Sequence, residues 1–159
     1  MPQPLKTVAV LVANPALSSI LSMTLAGAPS LRVRPFETEL ALRSYLQIAP
    51  ADLVVADFDS LPARADRLAE HLRADSTIPS RLQIIALASK LSVDLRAASL
   101  HAGIDEIIMK PMSPRYLLER VLARLSKAKT PERRKALLKR DWSAHGSNVV
   151  PLFGPPGLR

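Results

Sequence analysis

The sequence predicts an α/β fold, a five-stranded parallel sheet with helices on both faces. Two observations predict it. Short apolar runs rich in Val, Ile and Leu, without polar alternation, recur along the chain, as expected of parallel strands covered on both sides. Longer segments of helical period separate them, giving five β-α units in series. Right-handed crossovers then restrict the topology sharply. At 159 residues the chain suits one domain with an appendage, and 48% hydrophobic residues suffice for a core. With aromatics at only 4%, that core must be built from Leu, Val, Ile and Ala.

The strand-like runs fall near 7–13, 31–35, 52–57, 82–88 and 105–109. After the first, Pro15 suits the first turn of a helix, where its fixed φ is already correct. Leu17, Ile20, Leu21, Thr24 and Leu25 share a face of that helix, and Gly27 is its stop. Leu40, Leu42, Tyr45 and Leu46 mark the second helix, and Leu61, Leu68 and Leu72 the third. Asp59 or Ser60 is the expected cap of this third helix, which should start near Pro62. Leu91, Leu95 and Ala98, with a stop at Gly103, define the fourth. Ser113-Pro114 opens the fifth, with Leu117, Leu118, Val121, Leu122 and Leu125 inward.

Beyond Leu125 the composition changes. Residues 1–126 hold 14 Lys/Arg against 12 Asp/Glu, a net of +2, whereas residues 127–159 hold 8 against 2, a net of +6. The expected division is therefore a domain over 1–126, a basic hinge and short helix over 127–142, and a disordered Gly/Pro-containing tail over 143–159. Within the tail, Val149-Val150-Pro151-Leu152-Phe153 is an apolar stretch of the kind that docks as a short linear motif. The absence of cysteine excludes disulfides and thiolate metal sites and fits a reducing cytoplasm. The first apolar run is too short to span a membrane and lacks a signal-peptide cleavage pattern.

In open parallel sheets, ligand chemistry sits at the carboxyl ends of the strands. Asn14, Asp57, Ala88 and Lys110 all stand at or just past those ends. Asp57 closes Asp52-Leu53-Val54-Val55-Ala56-Asp57, and Lys110 closes Ile107-Ile108-Met109-Lys110-Pro111. The run from Val8 reaches Asn14-Pro15 with no acid, and Ile84-Ile85-Ala86-Leu87 ends in Ala88 with no hydroxyl.

These motifs, in this order over roughly residues 5–126, resemble the CheY-like receiver domain of two-component response regulators. The resemblance implies a flavodoxin- or CheY-like (βα)5 three-layer sandwich. It implies that Asp57 occupies the phospho-acceptor position of a phosphorelay, and that Lys110-Pro111 is the lysine and cis-proline step. It also implies a magnesium-binding acidic pair after the first strand, where this chain has Val12 and Ala13, or Ala13 and Asn14 on a one-residue shift. Neither pair supplies a carboxylate, and Mg²⁺ ordinarily takes one or two. The phosphoryl-gripping hydroxyl position holds Ala88, and Ser89 beside it is expected to face the other way. The aromatic switch position holds Ile107, which has no polar tip to move. Three working parts of the switch are thus replaced.

Two readings of Asp57 remain: slow phosphate acceptor, or structural partner of Lys110 in a part-buried ion pair. Asp59 supplies a second carboxylate nearby, although helix capping is its expected role. His71, His101 and His145 have no ligand spacing, so no metal is expected. No Ser-His-Asp set, P-loop or Gly-rich dinucleotide turn occurs, which argues against an enzyme and against a resident cofactor.

The basic segment offers a different chemistry. Arg133, Arg134, Lys135, Lys139 and Arg140 suit phosphates, and Arg140-Asp141-Trp142 combines a guanine-edge donor, a carboxylate acceptor and a stacking face. That layout resembles the CheY-like cyclic-di-GMP effectors, which carry an arginine-rich segment after the receiver domain. A solvated helix with Leu137, Leu138 and Trp142 packed back on the domain explains the same residues. The tail is too short for a helix-turn-helix, which argues against a nucleic acid as principal partner.

The leading expectation is a non-catalytic pseudo-receiver acting on a protein partner such as a kinase, motor or regulatory protein. Its contact face would be Lys90, Arg96, Ile107, Met109 and Tyr116. A cyclic-di-GMP effector and a weakly phosphorylated regulator, with Asp59 completing a metal site, are the alternatives.

Overall fold

The computed structural model describes residues 3–59, 64–127 and 149–150. Five parallel strands, β1 (Lys6–Leu11), β2 (Leu31–Phe36), β3 (Leu53–Asp57), β4 (Gln83–Ala88) and β5 (Glu106–Met109), form a sheet in the order β2-β1-β3-β4-β5. Helices α1 (Pro15–Ala26), α2 (Glu39–Ile48), α3 (Ala65–Ala74), α4 (Val93–Ala102) and α5 (Pro114–Lys127) follow the strands in turn. The five predicted strands and five predicted helices are all present. Among the described residues, no helix is long and apolar enough to cross a membrane.

Alternation along the buried strands builds the three layers. Val8, Val10, Leu53, Val55, Ile85, Leu87 and Ile108 face one side, with Leu21 and Leu25 of α1 and Leu117 and Val121 of α5. Ala9, Leu11, Val54, Ala56, Ile84, Ala86 and Ile107 face the other, with Leu42 and Leu46 of α2, Leu68 and Leu72 of α3 and Ala102 of α4. Three of these seven strand residues are alanines, Ala9, Ala56 and Ala86, and the helices' leucines pack against this face. Burying each such leucine contributes roughly 1.5–3 kcal/mol relative to exposure.

Four helices start on a side-chain cap, and of these caps only Ser113 is an expected start. Asn14 Oδ1 accepts from Leu17 N, Thr38 Oγ1 from Ala41 N, Ser92 Oγ from Leu95 N and Ser113 Oγ from Tyr116 N. Gly103 ends α4 in the left-handed conformation, φ +85°. Some assignments fail: Ile20 and Leu122 are exposed at the margins of their helices' buried stripes, and Leu40 lies on the side of α2 opposite Leu42. Helix α3 begins at Ala65 after Arg64, with no side-chain cap. Asp59 is therefore not its cap, and Ser60, Leu61 and Pro62 lie outside the described residues.

The expectation of a featureless segment over 143–159 is corrected at one point. Val149–Val150 form β6, antiparallel to β5, with Val150 opposite Ile107 and Val149 opposite Ile108. Two β-branched residues meet a β5 edge that would otherwise be unpaired, and backbone pairing there outweighs the surrounding Gly and Pro. The rest of that segment, and the basic helix expected over 127–142 beyond Lys127, lie outside the described residues.

Candidate functional site

Strand order reverses at β1, so a crevice opens at the carboxyl ends of β1 and β3. Parallel pairing carries the chain into it. Phe58 N donates to Leu87 O at 2.8 Å, and Lys110 N donates to Ala88 O at 2.8 Å. These bonds fix Asp57 at the end of β3 and Lys110 just past β5. The Lys110–Pro111 peptide is cis, the form implied by the resemblance.

Lys110 Nζ donates to Asp57 Oδ1 and Oδ2 at 3.0 Å each. The Asp57 side chain is only 5% exposed, and Asp59 N donates to its Oδ1 at 2.8 Å. Lys110 Nζ also lies 2.7 Å from Asp59 Oδ2. The same Asp59 oxygen accepts from Ser89 Oγ at 2.5 Å and Ser89 N at 3.1 Å. Two carboxylates thus share one ammonium.

Two expectations fail here, for one reason. Ser89 was expected on the far side of the sheet, but β4 ends at Ala88, so strand alternation no longer governs Ser89 and its hydroxyl turns into the crevice. Asp59, expected as a cap, is held away from α3 by these same bonds. The crevice therefore has a hydroxyl, one residue past Ala88, and a second carboxylate, two residues past Asp57.

The electrostatics follow from the crowding. Burial pushes the Asp59 carboxyl up, but the bonds from Lys110 and Ser89 override it and hold the group below its ordinary value. Burial likewise pushes Lys110 down, and its bonds to Asp59 and Asp57 more than reverse that, leaving the ammonium harder to deprotonate than a free lysine.

The remaining predicted positions are placed as follows. Val12 is buried, Ala13 is exposed, and Asn14 caps α1. Ala88 and Ile107 are fully buried in the core. Ile107 is accordingly withdrawn from the expected contact face, whereas Lys90 and Arg96 are exposed and Met109 and Tyr116 half-buried. Arg133, Arg134, Lys135, Lys139, Arg140, Asp141 and Trp142 lie outside the described residues.

The residues present do not fit magnesium. Both Asp57 oxygens and one Asp59 oxygen already accept strong donors, Val12 and Ala13 offer no side-chain oxygen, and the Oδ1 of Asn14, the alternative on a one-residue shift, caps α1. Among the described residues, no group of three or more His, Asp or Glu side chains is gathered at one point.

Sequence reasoning missed Glu106. Its carboxylate is fully buried in β5 and receives Arg120 Nε at 2.6 Å, Arg120 Nη2 at 3.1 Å and Arg124 Nε at 2.5 Å. The signal was present: an acid beginning an apolar strand needs a buried partner, and two arginines four apart on α5 supply it.

This is the fold of the CheY-like response-regulator receiver domain. A CheY-like receiver domain protein from Methanospirillum hungatei JF-1 superposes with a TM-score of 0.68 at 23% identity, covering 83% of this chain and 98% of that one. The chemotaxis response regulator CheY4 of Vibrio cholerae gives 0.68 at 18% identity, covering 76% and 98%. In sequence, the chain is 30% identical over 112 residues to the DNA-binding response regulator MtrA of Mycolicibacterium smegmatis, covering 70% of this chain. It spans about half of that relative, 47% of its length. No family model matches the chain.

Proposed function

We propose that this chain is a pseudo-receiver, a non-catalytic cytoplasmic signalling domain that acts by protein contact and not by magnesium-dependent phosphorylation of Asp57. The observation that carries this reading is the shared lysine: Lys110 already joins Asp57 to Asp59, and the positions where a metal would need acids are Val12 and Ala13. A phosphoryl donor approaching Asp57 meets a second carboxylate with no divalent charge to offset it. The partner, a kinase, motor or regulatory protein, would meet the face of α4, β5 and α5 through Lys90, Arg96, Met109 and Tyr116.

Incubation of the full chain with acetyl phosphate and Mg²⁺, read by intact mass, tests this reading. No adduct is expected. Stoichiometric, base-labile phosphate at Asp57 would instead establish a working phosphoreceiver.

A second reading rests on the tail's sequence alone. The net +6 of residues 127–159 and Arg140-Asp141-Trp142 suit a cyclic guanine dinucleotide. Titration of the full chain with cyclic-di-GMP at low salt, where charge contacts are strongest, decides it. Binding weakened by both Arg140→Ala and Trp142→Ala supports the reading, and no binding at micromolar ligand removes it. The DNA binding in the relative's name is not carried over, since the match covers less than half of that protein.

A further inference from the structure

One oxygen in the crevice collects three donors from two separate segments. Asp59 Oδ2 has Lys110 Nζ at 2.7 Å, Ser89 Oγ at 2.5 Å and Ser89 N at 3.1 Å. An ammonium, a hydroxyl and a backbone amide converging on one point form a seat for an oxyanion. The seat is filled by a side chain of the same molecule. We propose that Asp59 is a built-in anion, a tethered carboxylate that occupies the Lys110–Ser89 seat and keeps free oxyanions out.

The geometry supports a latch over a fixed strut. Asp59 follows Phe58, whose backbone is tied to Leu87 of β4, so the carboxylate is delivered to the seat by the chain itself. Tethering of this kind gives an effective concentration on the order of millimolar or more. A free phosphate or sulfate must therefore displace Asp59 while also facing the charge of Asp57. Yet the Asp59 side chain is 44% exposed, so it can leave toward solvent without crossing the core. Lys110 retains Asp57 as counterion when it does. Departure of Asp59 frees Ser89, which begins the connection to α4 and immediately precedes Lys90. Occupancy of the seat is thereby linked to the segment leading into the proposed contact face. This inference rests on the pseudo-receiver reading in one respect, that the crevice is controlled by what fills it and not by phosphoryl transfer.

The test is titration of the full-length wild type, Asp59→Ala, Asp59→Asn and the double variant D59A/S89A with inorganic phosphate. Mg²⁺ and any phosphodonor are absent. Phosphorus line broadening and the Ser89 amide shift are the readouts. Removing the tethered charge should tighten phosphate binding by about tenfold or more in D59A. D59N should fall between, because its amide oxygen still accepts but carries no charge, and D59A/S89A should lose the gain. Sulfate should compete. The proposal is overturned if wild type binds as tightly as D59A, or if D59A and D59N gain nothing while keeping native amide dispersion. Should D59A fail to fold, the isosteric D59N carries the test.

Covalent product cannot form under these conditions, so the two readings fail separately. A phosphate adduct at Asp57 with acetyl phosphate would remove the pseudo-receiver reading and leave this titration standing. A failed titration without an adduct would do the reverse.

Discussion

Lys110 holds both oxygens of Asp57 at 3.0 Å, a chelating arrangement across the ends of β5 and β3. Removing the cation leaves two neighbouring carboxylates, one of them nearly buried, with no positive charge between them. Lys110→Met should lower the unfolding free energy by about 3 kcal/mol, since breaking a buried pair strands the surviving charge. The double variant D57N/K110M should lose much less, because it strands none. Urea denaturation of the two variants decides the matter, and equal losses would refute a pairwise role.

The Asp59 contacts predict a defined pH dependence. A carboxyl whose folded value is lowered contributes stability above its unfolded value and loses it as pH falls through the folded value. Lys110 is raised, so its contribution is present below the unfolded lysine value and disappears as pH rises through the folded one. The stability difference between wild type and Asp59→Asn should therefore be flat from about pH 5 to pH 9 and shrink toward both extremes. Chemical denaturation of both proteins across that range measures it. A difference that grows in acid would contradict the assigned sign.

Glu106 ties β5 to α5 through Arg120 and Arg124. Glu106→Gln keeps the shape but faces two part-buried guanidiniums with a neutral amide, a loss of about 3 kcal/mol. Arg120→Ala and Arg124→Ala should each cost less, because the other arginine still neutralises the acid. Their sum should differ from the double variant, a non-additivity that a double-mutant cycle reads directly.

Gly103 combines φ +85° with a crowded surrounding: a Cβ there would lie 2.9 Å from Arg73 Cγ. Arg73 cannot simply withdraw, since its Nε and Nη2 donate to Gly103 O and its Nη2 also reaches Asp105 Oδ2. Gly103→Ala should cost about 2 kcal/mol from the left-handed backbone penalty together with the displaced arginine. A lowered melting temperature with unchanged secondary structure is the expected result.

The sheet and its helices were legible because each depends on local pattern. Apolar runs without alternation located β1, β3, β4 and β5, and Pro15, Ser113 and Gly103 marked helix ends that the structure bears out. Asp57 and Lys110 were legible as a pair because both lie at strand ends. Ser89 was misjudged because strand alternation was carried one residue past the end of β4, and Asp59 because α3 starts at Ala65 and not near Pro62. The partnership of Glu106 with α5 spans 14 and 18 residues: an acid in an apolar strand signals the need for a buried cation, but local pattern does not say which distant arginines supply it. Val149–Val150 was read as an idle or docking peptide; its mate, the rim of β5, is defined only once the sheet is assembled.

The sheet's two borders are blunted by unlike means. At one, β2 carries Pro35, which has no amide hydrogen to offer a newcomer, flanked by Arg34 and, further back, Arg32. At the other, the chain lays its own Val149–Val150 along β5. A recombinant fragment stopped at Lys127 would shed that cover and leave the peptide groups of Ile107 and Ile108 as a ready template for any extended polypeptide. Stickiness of such a fragment in a capture assay would then report a bare rim created by the scalpel, and only the uncut protein can distinguish that artefact from genuine recognition.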